Sequence, residues 1–230
     1  MDRPSDSQRP GRKGGAAKDV TSLSAKSLYL ILYNLVSAVL WAFVLGKVTM
    51  TASSGGTRKV YVNVGEYAKW TQTLAGLEIL HSLVGVVRSP ILTTVMQVAS
   101  RFLLVWGVVD TFPAVAQSSF AYSTMLLAWS ATEVIRYSYF AVNIAYGKVP
   151  AALTWLRYNT FFVLYPMGIS SECWLIWLAT GPARRRFGDV GPWSLFAILG
   201  AYVPGSYILF THMMAQRRKV MRGSGAKKSR

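Results

Sequence analysis

The chain has 230 residues, of which 52% are hydrophobic, and it carries a formal net charge of +16. Its mean hydropathy of +0.32 is too high for an ordinary soluble domain, and its apolar residues come in long blocks. The single cysteine, Cys173, and the two histidines exclude a disulfide framework within the chain and a cysteine- or histidine-rich metal site. Lys and Arg concentrate at the two ends, which favours contact with anionic lipid headgroups over nucleic acid binding.

The apolar blocks predict an all-α polytopic membrane protein, a bundle of six transmembrane helices. A helix needs about 20 mainly apolar residues to cross a bilayer, and these blocks are longer than the ~10-residue alternating segments of a β-barrel. The predicted spans run, in chain order, over residues 28–46, 70–87, 91–109, 119–142, 151–180 and 193–214. Polar stretches rich in turn residues separate them, at 53–56, 88–90, 110–118, 147–150 and 181–192.

The two ends of the chain predict its orientation. Residues 1–26 are polar, rich in Gly, Pro and Ser, and lack the apolar core of a signal peptide, so we expect a disordered basic cytosolic tail. Residues 27–216 form the predicted membrane domain, and 217–230 form a second basic cytosolic tail. Six spans place both tails on one side, and their Lys and Arg content assigns that side to the cytosol. The arginine triplet 184–186 then falls on the lumenal side, against this rule. The pair Lys227-Lys228 resembles a dilysine signal that returns membrane proteins to the endoplasmic reticulum.

Ionisable side chains inside the predicted spans are costly in lipid, so they usually face the bundle interior and mark functional sites. Counted from the turn after the second span, Glu78 and Arg101 stand at a similar depth, about 17 Å from the turn at 1.5 Å per residue. This predicts an ion pair, with Gln97 one turn from Arg101 on the same face. Glu133 and Arg136 are spaced to pair on one helix. Such pairs would also fit a purely structural role that holds helices together.

Three arginines are predicted to form a basic tier reached from the cytosol: Arg101, Arg136 and Arg157. Glu78 and Glu133 are the nearby carboxylates. They leave one cation unmatched, which favours an anionic ligand.

The fifth span carries the most unusual polar pattern. Tyr165 and Glu172 are seven residues apart and share a helix face, with Cα atoms about 10 Å apart along a straight helix. Pro166 should kink the helix and free a carbonyl in the preceding turn. Gly168 lies between them and leaves room for a neighbouring helix or a substrate chain. We expect the two side chains to meet in a lipid-embedded cleft, which is closed by the kink or bridged by a substrate.

Several separate segments of residues 28–218 carry a shared pattern of residues. They are residues 77–81, Gln97 with Arg101, residues 129–130 and 132–137, residues 155–158, residues 164–172 and residues 202–205. Together they resemble the 3-hydroxyacyl-CoA dehydratase family, also called protein tyrosine phosphatase-like proteins.

The second name of the family does not predict phosphatase activity. A cysteine phosphatase needs an arginine six residues after its cysteine, but Cys173 is followed there by Ala179.

The resemblance implies a lyase with six spans in the endoplasmic reticulum membrane. Such an enzyme removes water from very-long-chain (3R)-3-hydroxyacyl-CoA to give trans-2-enoyl-CoA, the third step of fatty-acid elongation. It implies that Tyr165 and Glu172 are the catalytic pair. The expected partners are the acyl-CoA substrate, membrane lipid and the other elongation enzymes, the elongase and the reductases. Substrate-binding or supporting roles are implied for Glu78, Gln97, Arg101, Arg136, Arg157 and Gly168.

Dehydration needs a base for the proton alpha to the thioester, an acid for the departing hydroxyl and donors for the charge on the thioester oxygen. The sequence shows no metal ligand set or cofactor motif, so we expect side chains alone to do this. Glu172 is assigned as the base and Tyr165 as the acid or hydroxyl orienter, and the reverse assignment stays open. A non-catalytic scaffold for the elongation enzymes is the main alternative. A transporter is a third class, since buried charges also mark transport paths, although no inverted repeat is visible.

Overall fold

The computed structural model describes residues 24–87 and 91–228, and that part of the chain is helical and contains no strand. The all-α prediction is thus confirmed there. Predicted features at residues 1–23, 88–90 and 229–230 lie outside the described residues. A 3-10 turn, Thr57–Lys59, joins the first two helices, and the fourth continues as a π-helix, Leu103–Val109. The helices are α1 Ala25–Gly55, α2 Val60–Leu74, α3 Gly76–Leu83, α4 Ile91–Phe102, α5 Pro113–Ser118, α6 Ala121–Tyr146, α7 Ala151–Asn159, α8 Phe161–Phe187 and α9 Val190–Lys228.

Local sequence explains several of the helix ends. The Ser24 hydroxyl accepts a hydrogen bond from the Ser27 N–H at 3.2 Å and so caps the start of α1. Gly147 ends α6 with φ +66°, a left-handed conformation that glycine adopts without steric cost. Pro150 then precedes α7, where its fixed backbone favours the start of a new helix. This turn returns α7 and α8 along α6.

Helix α6 lies at the centre of the bundle. It packs against α1 and against α8, and α8 packs in turn against α9. The core between these helices is built from large side chains that are almost fully buried, among them Trp41, Leu104, Met125, Leu175 and Ile176. Because lipid is as apolar as these side chains, close packing holds helices together in a bilayer. The arrangement fixes α8 between α6 and α9, which matters for the site below.

Three helical stretches in the described chain are long and apolar enough to cross a bilayer: Ala25–Gly55, Ala151–Phe187 (α7 with α8) and Val190–Arg222. A shorter apolar stretch covers Thr94–Val109. Helix α6 is 26 residues long and carries charged residues in its middle. The count of six spans therefore stays a prediction, whereas the long apolar helices that define the class are present.

Two stretches predicted as loops are largely helical. Helix α1 continues to Gly55, through most of the predicted loop at 53–56. The predicted loop at 181–192 is reduced to the short break between Phe187 and Val190, and Pro182 lies inside α8. Polar residues and glycine do not always end a helix, because a helix can continue into water if its residues favour that conformation. Ala and Arg, which follow Pro182 in α8, are good helix formers.

Other boundaries also differ from the prediction. The second predicted span, 70–87, contains the break between α2 and α3 at Ala75, and its helix begins earlier, at Val60. The fifth is divided at Thr160 into α7 and α8. Helix α9 continues through the predicted tail 217–230 as far as residue 228. Hydropathy ends a span where the apolar residues end, but Arg and Lys can extend the same helix into water.

Candidate active site

Glu172 is a buried carboxylate at the junction of three helices. It lies on the face of α8 that packs against α6, and only 7% of the residue is exposed. Its Oε1 accepts a hydrogen bond from the Trp129 indole N–H of α6 at 2.8 Å, and its Oε2 accepts one from the Tyr202 hydroxyl of α9 at 2.9 Å. Both donors are neutral, so the carboxylate is positioned without a direct cationic partner.

Tyr165 lies two turns before Glu172 on α8 and is half-buried. Its hydroxyl donates a hydrogen bond to the backbone carbonyl of Ser206 on α9 at 3.0 Å, and its ring lies 6.0 Å from that of Phe210. Among the described residues, the hydrogen bonds of Tyr165 and Glu172 thus go to different partners. The phenol and the carboxylate are placed along one side of the α8–α9 contact, and their Cα atoms are about 10 Å apart for a seven-residue separation on a helix.

Gly168 lets α8 approach α6 closely beside the carboxylate. A Cβ atom at this position would lie 3.6 Å from the Ala128 Cβ and 3.8 Å from Glu172 Oε1. A methyl group would therefore just fit, and any larger side chain would meet α6 or the carboxylate. This agrees with the predicted close approach at Gly168, here between α8 and α6.

A charge cluster lies next to this site on α3, α4 and α6. The Arg136 guanidinium donates two parallel hydrogen bonds to Glu78, at 2.7 and 2.9 Å, and its Nε donates to Glu133 at 2.6 Å. Arg101 also donates to Glu133, whose side chain is only 3% exposed. Tyr137 donates to Glu78 at 2.5 Å. We call Glu78, Arg101, Glu133 and Arg136 the charge cluster, in which two cations balance two anions.

The predicted ion pair between Glu78 and Arg101 is wrong, because each of them bonds to a different partner on α6. Arg101 pairs with Glu133, and Glu78 pairs with Arg136. Counting residues from a turn gives the depth of a side chain but not the direction in which it leaves its helix, and α6 supplies the nearer opposite charges. The predicted pair within α6, Glu133 with Arg136, is confirmed.

The predicted tier of three arginines is divided in the structure. Arg101 and Arg136 belong to the charge cluster, whereas Arg157 lies over aromatic rings, with its guanidinium 4.6 Å from the Tyr139 ring centre and 4.4 Å from that of Phe140. The Arg157 Nε is buried and has no hydrogen-bond partner among the described residues. One cation is therefore left without a carboxylate, as the sequence predicted, but it lies apart from the other two.

Gln97 is the predicted site residue that the structure does not bring to this region. Gln97 is exposed on α4, whereas the side chain of Arg101, one turn later, is mostly buried. The prediction that both share an inward face holds only for Arg101.

The charge cluster is connected to the carboxylate through Trp129. The Arg101 guanidinium lies 5.0 Å from the centre of the Trp129 ring, and the Trp129 indole N–H is bonded to Glu172. A cation over an indole face is attracted by the ring electrons. The cluster thus supports the side chain that positions Glu172.

Sequence reasoning missed the groups that position the two predicted catalytic side chains: Trp129, Tyr202 and the Ser206 carbonyl. Trp129 and Tyr202 stand in segments that carry the family resemblance, so the signal was present in the sequence. It did not distinguish a hydrogen-bond donor from an aromatic side chain that simply packs. A backbone carbonyl such as that of Ser206 leaves no signal in a sequence at all.

A cavity of about 420 Å³ lies near the other end of α8, lined by residues that include Phe112, Ala183, Phe187 and Leu195. Neither Tyr165 nor Glu172 lines it. The predicted cleft between the phenol and the carboxylate therefore stays a prediction.

The described chain is thus a bundle with helices apolar enough to cross a bilayer, in which a buried carboxylate is held by neutral donors beside a charge-balanced cluster. Residues 72–223 match the family model described as "Protein tyrosine phosphatase-like protein, PTPLA". The chain belongs to this family, which confirms the resemblance noted from its sequence.

Curated relatives match the chain over most of its length. A protein of Schizosaccharomyces pombe named "Probable very-long-chain (3R)-3-hydroxyacyl-CoA dehydratase" is 43% identical over 89% of this chain and 98% of its own. The rice protein PASTICCINO 2B, named a very-long-chain (3R)-3-hydroxyacyl-CoA dehydratase, is 40% identical over 86% and 95%. Human very-long-chain (3R)-3-hydroxyacyl-CoA dehydratase 2 is 34% identical over 84% and 80%. No solved structure matches the chain.

Proposed function

We propose that this protein is a very-long-chain (3R)-3-hydroxyacyl-CoA dehydratase, a hydro-lyase of the fatty-acid elongation cycle. The observation that carries the proposal is the buried Glu172 carboxylate, held by two neutral donors two turns from Tyr165, with Gly168 between them in close contact with α6. Relatives between 34% and 43% identical bear this name. The matched family region, 72–223, includes all of these residues.

The reaction needs one group that accepts the proton from C2 and one group that donates a proton to the hydroxyl leaving C3. The Glu172 carboxylate removes a proton from C2, and the electrons of that bond form the C2–C3 double bond. The C3–O bond breaks, and the Tyr165 phenol gives its proton to the departing hydroxyl, which leaves as water. The Glu172 carboxyl then releases its proton to water and the Tyr165 phenolate takes up a proton from water, which restores both groups. The opposite assignment, with the phenolate as base and the carboxyl as acid, balances equally well.

The arginines divide into two roles. Arg101 and Arg136 are already matched by carboxylates, so they support the site through the charge cluster. Arg157 has no carboxylate partner in the described part of the chain, and we assign it to the attraction of the CoA phosphates. Glu78 belongs with the supporting group, and Gly168 lets α8 lie close to α6 beside the carboxylate.

We further propose six spans in the endoplasmic reticulum membrane, with both ends in the cytosol and the elongase and reductases as neighbours. The arginine triplet that opposed this orientation has local partners: Arg184 pairs with Asp189 at 2.8 Å, and Arg186 donates to the Thr111 carbonyl. Epitope tags at the two ends, tested by protease digestion of sealed microsomes, check the orientation. Protection of either tag would contradict it.

The central test compares Tyr165→Phe and Glu172→Gln with wild type, using purified protein in detergent and 3-hydroxyacyl-CoA substrate. General acid–base groups contribute about 10²- to 10⁴-fold, so we expect each variant to lose at least 10²-fold in enoyl-CoA formation. Tyr207→Phe, which removes a phenol that is 71% exposed on α9, is the matched control and should keep full activity. Full activity of either site variant would remove that residue from the mechanism.

The same assay separates the other classes of function. A scaffold that binds the elongation enzymes would give no turnover when it is purified alone. A transporter would move a solute only in sealed vesicles and would form no enoyl-CoA in detergent.

A further inference from the structure

Arg217 is fixed at the junction of α7, α8 and α9 by neutral groups. Its Nε donates a hydrogen bond to the Asn159 Oδ1 at 3.0 Å, and its guanidinium lies 5.3 Å from the centre of the Phe162 ring. The Asn159 amide is itself oriented, because its Nδ2 donates to the Trp155 carbonyl at 2.8 Å. The Arg217 side chain is thus held in place while its terminal amino groups have no acceptor in the part of the chain that the structure describes.

Among the described residues, no carboxylate forms an ion pair with Arg217. After Glu133 the sequence contains only two acidic residues, Glu172 and Asp189. Glu172 bonds to neutral donors, and Asp189 pairs with Arg184 at the opposite end of α8. In the charge cluster, by contrast, each arginine meets a carboxylate. An arginine that neutral groups hold in position keeps its full charge for an anion, and its planar fork suits a phosphate.

A continuous line of aromatic rings leads from Arg217 to the predicted catalytic phenol. The Phe162 ring, under the guanidinium, lies 6.4 Å from the Phe210 ring, and the Phe210 ring lies 6.0 Å from that of Tyr165. Tyr165 is bonded to the Ser206 carbonyl, eleven residues before Arg217 on α9. At 1.5 Å per residue this separation is about 16 Å along the helix.

We propose that Arg217 binds the diphosphate of the CoA substrate. This inference rests on the proposed dehydratase function. The pantetheine arm has roughly thirteen bonds between the thioester sulfur and the nearer phosphorus, which span about 15 Å when extended at the ~1.2 Å per bond of an extended chain. The Arg217 guanidinium lies against Phe162, three residues before Tyr165 on α8, so an arm of this length can place the thioester at the phenol. Arg157, on the α6 side of α7, supplies a second positive charge at the same end of the bundle.

The test compares two substrates that share the reacting atoms, a 3-hydroxyacyl-CoA and the 3-hydroxyacyl thioester of pantetheine, which lacks phosphates. Arg217→Ala should raise KM for the CoA thioester about tenfold or more, as expected for lost hydrogen bonds to a charged group, and should leave kcat unchanged. Its kinetics with the pantetheine thioester should equal those of wild type. This second measurement also shows that the variant is folded.

Two further variants make the comparison specific. Arg218→Ala removes the same charge from the next, exposed residue of α9 and should change neither substrate's KM. Asn159→Ala keeps the charge but releases the Arg217 side chain, and we expect a smaller rise in KM for the CoA thioester alone.

Several results would overturn the assignment to CoA. Equal losses on both thioesters in Arg217→Ala would point to a structural role or to a bound lipid headgroup. A rise in KM in Arg218→Ala as large as that in Arg217→Ala would indicate only a general electrostatic attraction. Failure of the proposed function itself looks different, because wild type would then turn over neither thioester, or Tyr165→Phe and Glu172→Gln would both stay active.

Discussion

Glu133 holds two arginines at once, and its removal tests whether the charge cluster is a stabilising unit. Its carboxylate accepts hydrogen bonds from Arg101 and from Arg136, and its side chain is 3% exposed. Glu133→Gln would leave two cations against one anion in a buried site. Breaking a buried ion pair by removal of one partner costs about 3–5 kcal/mol, because an uncompensated charge is left behind.

This free energy predicts a measurable change in thermal unfolding. A loss of 1 kcal/mol lowers Tm by about 2–4 °C in proteins of 150–250 residues, so Glu133→Gln should lower the melting temperature by about 6–20 °C. Tryptophan fluorescence of the purified protein in detergent is a suitable signal, since the chain has eight tryptophans. Arg101→Met should also lower it, because two anions would then face one cation.

The double variant Arg101→Met with Glu133→Gln decides between the explanations. It leaves the Arg136–Glu78 pair, with its two parallel hydrogen bonds, as a neutral unit. We expect the double variant to melt higher than either single variant, because the net charge of the cluster is again zero. If the loss in the double variant equals the sum of the two single losses, charge balance is not what stabilises this region and the reasoning fails.

Two smaller changes test how the carboxylate is positioned. Tyr202→Phe removes one of the two donors to Glu172 and should lower kcat about tenfold or more, the usual effect of one hydrogen bond to a charged group. Tm should fall as well, because the buried carboxylate loses a hydrogen bond. An unchanged kcat would mean that this contact does not position the carboxylate. Gly168→Ala should fold normally, because its methyl would lie 3.6 Å from the Ala128 Cβ, but turnover should fall since the methyl fills space beside the carboxylate, whereas Gly168→Leu should also lower Tm; equal turnover in wild type and the alanine variant would show that the space is not used by substrate.

The sequence predicted the helical class and the pairing of neighbours along one helix, because both depend on local patterns. Glu133 and Arg136 pair as their spacing requires. The apolar blocks correspond to helices, but the ends of α1, α8 and α9 run past the apolar residues. Those ends depend on polar helix formers, which hydropathy scores in the same way as a loop.

Contacts between helices were much less predictable. Glu78 and Arg101 were expected to meet because they lie at equal depth, but each side chain points toward α6. The rotation of α3 and α4 about their own axes decides this direction, and the sequences of these helices do not show it. The sequence predicts that Arg217 belongs to a basic tail, whereas the structure holds it against Asn159 of α7 and Phe162 of α8. Sequence shows which side chains carry charge, and only the packing of helices shows which charges are balanced.

Helix α9 leaves the ribosome after α8, and it contributes both the Tyr202 hydroxyl and the Ser206 carbonyl that hold the predicted catalytic groups. A nascent chain that has reached only the end of α8 already contains Tyr165 and Glu172, but neither has its partner on α9. Since domains tend to fold from the N-terminus during synthesis, the two predicted catalytic groups would gain these partners only after α9 has been made and has docked. A chain terminated between α8 and α9 would contain both side chains and neither of these hydrogen bonds.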